Sequence, residues 1–140
     1  MSKSRESGFS LIELLVVVVV VGIIASIAIP GLQKGIRAAE NGTTFATMRT
    51  ISSSQVGYYS QNSRFGRLPE INYALSDGVG TVNGNQIVRG KFIFEMVPAD
   101  PSDLDLRTGY TVTATRNVAG EGIIYKYELT QAGEIRQILP

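Results

Sequence analysis

From Phe9 to Ile29 the chain is apolar almost without interruption, and Glu13 is its one charged side chain. A helix of these 21 residues spans roughly 30 Å, the thickness of a hydrocarbon core. Beyond Pro30-Gly31 the pattern turns amphipathic. Ala38, Ala39, Phe45, Met48, Ser52, Val56 and Tyr59 recur at steps of three and four, which predicts helix continuing to about Gln61. Pro30 removes a helix hydrogen bond, so a kink is expected over Ala25–Pro30, with a second weak point at Asn41-Gly42. The Phe45/Met48/Val56/Tyr59 stripe is expected to pack on another layer.

That layer reads as a small antiparallel sheet. Lys91–Val97, Tyr110–Thr115 and Ile123–Thr130 are short and rich in β-branched and aromatic residues. In the third, Ile123, Tyr125, Tyr127 and Leu129 alternate with Ile124, Lys126 and Glu128, predicting one buried and one wetter face. Glu134–Leu139 can add a last strand. Asn62–Arg89 reads as loop, with turn signals at Asp77-Gly78 and Asn83-Gly84. The predicted class is therefore α+β: a long N-terminal helix, its first half membrane-spanning, packed on a small antiparallel sheet. The segments are a leader over 1–8, a transmembrane helix over 9–29, its amphipathic continuation over 30–62 and a globular head over 63–140.

Composition narrows the chemistry. There is no cysteine and no histidine, so thiol chemistry is excluded and the commonest general base is missing. Net charge is +1, and without residues 1–8 there are 11 basic and 11 acidic side chains. That balance gives no electrostatic case for nucleic acid, so Tyr58, Tyr59, Tyr73, Tyr110, Tyr125 and Tyr127 read as packing rather than as a base-stacking platform. No Ser/His/Asp arrangement or phosphate loop is present, and the chain reads as a non-enzyme without cofactor. Asp100, Asp103 and Asp105 are the one set of calcium candidates; the alternative is a solvated turn with Arg107 nearby. Asn41-Gly42-Thr43 fits a glycosylation triplet and is taken as unused.

The leader MSKSRESG is short and net positive, which keeps the N-terminus cytoplasmic while the rest translocates. Its small residue, Gly8, precedes the apolar run instead of following it, unlike an ordinary secretory signal. A carboxylate inside a membrane helix costs up to about 3 kcal/mol at the bilayer centre and less near the end, where Glu13 sits. Cleavage after Gly8 would place a free amine on Phe9 at similar depth, and Glu13 of one copy could then pair with the Phe9 amine of the next. The simpler reading of Glu13 alone is a side chain that snorkels to the interface.

Taken together, Gly8, Phe9, Glu13, Gly22 and Pro30 in "GFSLIELLVVVVVVGIIASIAIPGL" resemble the N-terminus of type IV pilins and of the related pseudopilins of type II secretion. The resemblance implies that a prepilin peptidase cuts after Gly8 and methylates the Phe9 amine. It implies that Glu13 and Phe9 set assembly register, and that the helix gives way at Gly22 and Pro30 when subunits leave the bilayer. The expected partners are further copies of the chain, the peptidase, an inner-membrane assembly platform and, before assembly, the lipid bilayer. The expected location is the bacterial inner membrane, crossed once, and afterwards a surface or periplasmic filament. A pseudopilin is the near alternative, and a binding domain on an uncleaved signal anchor the distant one.

Overall fold

A computed structural model describes residues 8–140. The leader Met1–Gly8 therefore lies outside the described residues except for Gly8. The chain forms two compact units, one ending at Ala39 and the other running from Glu40 to Pro140.

The helix α1 (Leu11–Asn62) is continuous over 52 residues. It runs through Gly22, Pro30 and Asn41-Gly42, as the single long helix read from the sequence does. Proline takes away only one bond, the one its missing N–H would give to the Ser26 carbonyl, and the turns on either side hold the helix across the gap. Within α1 the hydroxyls of Thr44, Thr47 and Thr50 donate to the carbonyls of Glu40, Thr43 and Ala46 at 3.0, 2.9 and 3.1 Å. That back-bonding leaves the threonine methyls as the surface these residues present.

In the second unit α1 buries Thr44, Thr47, Met48, Ile51 and Gln55. This corrects the phase of the predicted stripe: Phe45 and Met48 belong to it, but Val56 is 67 % and Tyr59 40 % exposed. The inward line passes instead through Gln55, which has specific partners waiting. Its Nε2 donates to the Gly66 carbonyl and its Oε1 accepts the Gly66 N–H, both at 2.7 Å. Gly66 is there because a Cβ at that position would meet Ile71 Cδ1 at 2.8 Å.

The stretch after α1 is more ordered than expected. A short helix α2 (Leu68–Ala74) starts where Glu70 accepts the Arg67 N–H at 2.7 Å. Strands β1 (Thr81–Asn83) and β2 (Gln86–Arg89) form a hairpin around Gly84-Asn85, with Gly84 at φ 61°. Then follow β3 (Phe92–Met96), a single-turn helix α3 (Asp105–Thr108), β4 (Thr111–Asn117), β5 (Ile124–Thr130) and β6 (Ile135–Leu139). The four later strands match the predicted ones to within a residue or two at most ends. All six form one antiparallel sheet in chain order, β1 to β6.

The inner face of the sheet shows in its register. Phe94, Ala114 and Tyr127 lie side by side across β3, β4 and β5, as do Met96, Val112 and Leu129. These residues are buried with Met48, Ile51, Leu68, Ile87, Leu106 and Tyr110 in one core. Burying each such side chain stabilises by roughly 1.5–3 kcal/mol. Tyr125, Tyr127 and Leu129 face inward or partly inward, as the alternation of β5 predicts.

Candidate functional site: the start of α1

Gly8, Phe9 and Ser10 precede α1 without regular structure, and Ser10 stands at its N-cap position. The Ser10 carbonyl accepts the N–H groups of Glu13 and Leu14 at 3.1 and 3.2 Å. The Glu13 side chain reaches back the other way: its Oε2 accepts the Ser10 N–H at 3.0 Å. Glu13 thus supplies the carboxylate half of a capping box, three residues into the helix and against the positive end of its dipole. Sequence reasoning missed this role, although Ser10-x-x-Glu13 is the pattern that signals it.

Phe9 is 84 % exposed. With Ile12, Glu13, Val16 and Val17 it lines an open hollow of about 340 Å³ on the helix surface. One wall of that hollow is a carboxylate; the others are apolar. Val16 to Val21, Ile23, Ile24, Ile27 and Ile29 are all exposed. This segment of α1 is the one stretch of helix long and apolar enough to cross a membrane among the described residues. Gly22 has no neighbour near the position of a Cβ, and the Ser26 hydroxyl donates to the Ile23 carbonyl at 2.8 Å, within the turn before Pro30. The sequence-predicted residues therefore fall into two places: Gly8, Phe9 and Glu13 lie at the start of α1, while Gly22 and Pro30 lie about three and five turns on.

The other candidates are in the second unit and are occupied with protein partners. Asp103 pairs with Arg67 at 2.9 Å and with Arg64 at 3.6 Å, and Asp100 pairs with Arg67 at 3.7 Å. Asp105 accepts from the Ser102 hydroxyl and N–H at 2.6 and 3.0 Å, which holds its carboxyl below the usual range. No three acidic side chains among the described residues gather where a metal could sit. Of the three calcium candidates, Asp100 and Asp103 thus face arginine and Asp105 is taken up by Ser102.

Arg64 is the centre of that region. It grips Glu70 with both terminal nitrogens, at 2.9 and 2.7 Å, and lies 5.5 Å over the Tyr58 ring. The guanidinium holds the Glu70 carboxyl down at about 2, and Glu70 in turn raises Arg64. The tyrosines do pack: Phe45 meets Tyr127 at 4.6 Å, Tyr59 meets Phe65 at 4.7 Å, and Phe65 meets Tyr110 at 4.8 Å. Tyr73 is the exception and is exposed. Asn41 of the glycosylation triplet lies inside α1.

Besides Gln55, two buried polar residues, Asn72 and Arg116, went unpredicted. Asn72 organises the turn after α2, accepting the N–H groups of Val79 and Gly80 at 3.0 and 3.2 Å and donating to the Gly80 carbonyl at 3.0 Å. Arg116 is wholly buried at the inner face of β4. Its signal was in the sequence, since Val112, Ala114 and Arg116 are alternate residues of one strand.

The model of the prokaryotic N-terminal methylation motif matches residues 3–29. The chain is 32 % identical to the type IV major pilin protein PilA of Myxococcus xanthus over 53 % of this chain and 34 % of that one. It is 32 % identical to type II secretion system core protein G of Aeromonas hydrophila over 46 % of each chain. With the type IV major pilin protein PilE1 of Neisseria gonorrhoeae it shares 30 % identity over 82 % of this chain and 55 % of the relative. The chain thus spans between about a third and just over half of the length of these relatives. No solved structure gives a significant match.

Proposed function

We propose, from the premise that this chain is by its N-terminal segment a member of the type IV pilin and pseudopilin family, that it is a structural subunit of a filament polymerised through α1. The observation that carries the reading is the juxtaposition of Phe9 and Glu13 at the head of an uncovered apolar helix. In this reading a prepilin peptidase removes the leader after Gly8 and methylates the new Phe9 amine. The subunit first sits in the bacterial inner membrane, crossing it once with its N-terminus in the cytoplasm. An assembly platform then draws the helix out and packs it against further copies of the chain.

Glu13 has the chemistry for this. One carboxylate oxygen is held by the Ser10 N–H, which fixes the side chain toward the N-terminus, and the second is available to an amine from a neighbouring copy. Away from water such a pair is worth several times its value at a wet surface, and a subunit out of register leaves both charges unpaired. Helix packing supplies the driving force and the charge pair supplies the register. Pro30 sits where α1 is easiest to extend, because the bond to the Ser26 carbonyl is already missing there, and Gly22 adds backbone freedom about two turns earlier.

A pseudopilin, forming a periplasmic filament for type II secretion, is the second reading, supported by the likeness to core protein G. An uncleaved anchor carrying a binding domain is the third. Intact mass of the protein from a host with an active prepilin peptidase separates the third from the others. Loss of residues 1–8 with one added methyl is expected; a mass that retains Met1–Gly8 would sink the filament reading.

A further inference from the structure

The second unit opens at Glu40 with an arrangement that filament chemistry does not require. Arg116 of β4, with no exposed surface, pairs through Nε with Glu40 at 3.1 Å and through Nη1 with Glu121 at 2.7 Å. Lys91, just before β3, reaches the same two carboxylates at 3.2 and 3.7 Å. The Tyr125 ring lies 6.0 Å from the guanidinium. Two positive and two negative groups thus close a neutral quartet joining α1, the start of β3, β4 and the β4–β5 loop. Glu40 and Glu121 keep about a quarter of their surface in solvent, so the quartet is sealed on the arginine side only.

A half-open groove of about 310 Å³ runs beside Glu40, Thr43, Thr44 and Thr47 of α1, Lys91 and Phe92. Threonine methyls line it, since their hydroxyls are turned back onto helix carbonyls. One turn later the contacts change character: Met48, Ile51 and Gln55 are completely buried. The first two turns of the helix in this unit are held by the quartet and, through the Phe45 ring on Tyr127 at 4.6 Å, by one aromatic contact; the following turns are held by wholly buried side chains.

We infer that the Arg116–Glu40–Glu121–Lys91 quartet is a latch: it holds α1 residues 40–47 on the sheet, and these turns can lift while Met48 to Gln55 stay seated. A segment held by a few ionic contacts and one aromatic pair beside an open groove opens locally without global unfolding. Arg116 is the pin, because it alone touches both the helix and the loop from the buried side. The latch belongs to the second unit alone and stands whether or not the chain builds filaments.

The cysteine-free chain allows a direct test. Single cysteines are placed at Thr44 and, as the seated control, at Ile51, in the full chain in detergent micelles. Maleimide labelling is then timed with and without Arg116→Met. Labelling at position 44 is expected to accelerate about tenfold or more while position 51 stays within about twofold. Equal acceleration at both sites, or none at either, would overturn the latch. Should Arg116→Met not fold, Glu40→Gln carries the same comparison, and Glu121→Gln is expected to release the loop at 118–123 before the helix.

Discussion

The Glu13 carboxylate lies 3.0 Å from the backbone nitrogen of Ser10 and caps the helix it belongs to. Capping and charge pairing are thus separable tasks of one side chain. Glutamine can still accept the Ser10 N–H; alanine cannot. In micelles the Ser10 amide of Glu13→Ala is expected to exchange ~5-fold faster, matching a cap worth about 1 kcal/mol, whereas Glu13→Gln stays near wild type. Both variants are expected to reach the membrane fraction normally and to lose sheared filament yield by about tenfold, because neither carries the charge.

Glu70 titrates near 2 because Arg64 binds its ionised form. A folded value below the ordinary 4.5 means that the pair stabilises above pH 4.5 and that this stabilisation is lost as pH falls toward 2. Melting temperature measured across that window is expected to fall in the wild type and to fall less steeply in Glu70→Gln. At pH 7 the variant should be less stable by roughly 1 kcal/mol, the scale of a partly exposed pair.

Gln55→Leu keeps the volume of the side chain and removes both of its bonds to Gly66. A buried N–H and a buried C=O are then left without partners, at about 1–3 kcal/mol each. Chemical denaturation should show a loss of about 2–4 kcal/mol, larger than for Val56→Ala at the neighbouring exposed position, which is expected to stay within about 0.5 kcal/mol.

Asp100 and Asp103 are bound by arginine, so calcium and chelator are both expected to move the melting temperature by less than about 1 °C. A calcium-dependent rise of several degrees in the wild type would show that the arginines give way to a metal.

The long apolar helix and the four later strands were legible because their apolar residues follow a simple pattern: continuous in the first case, alternate in β5. What escaped has a common physical cause. Gln55, Asn72 and Arg116 are polar side chains at buried positions, justified by partners distant in sequence such as Gly66 and Glu40, and hydrophobic periodicity does not register them. The phase of the α1 stripe went wrong for this reason, since Val56 looks like the core residue and Gln55 is. The turn at Asn83-Gly84 was readable, but β1 and β2 are three and four residues long and borrow their order from β3. The helix runs through Pro30, as expected of one long helix weakened there, because one missing bond is outweighed by the intact turns around it.

The order of strands in the sheet has a kinetic consequence. Each strand pairs only with those next to it in the chain, so no strand must wait for a later one to be threaded between two already in place. Closure distances stay short at every step, which favours rapid folding. A head built this way can grow hairpin by hairpin as the polypeptide is delivered, with α1 already made and β6 added last as its free edge.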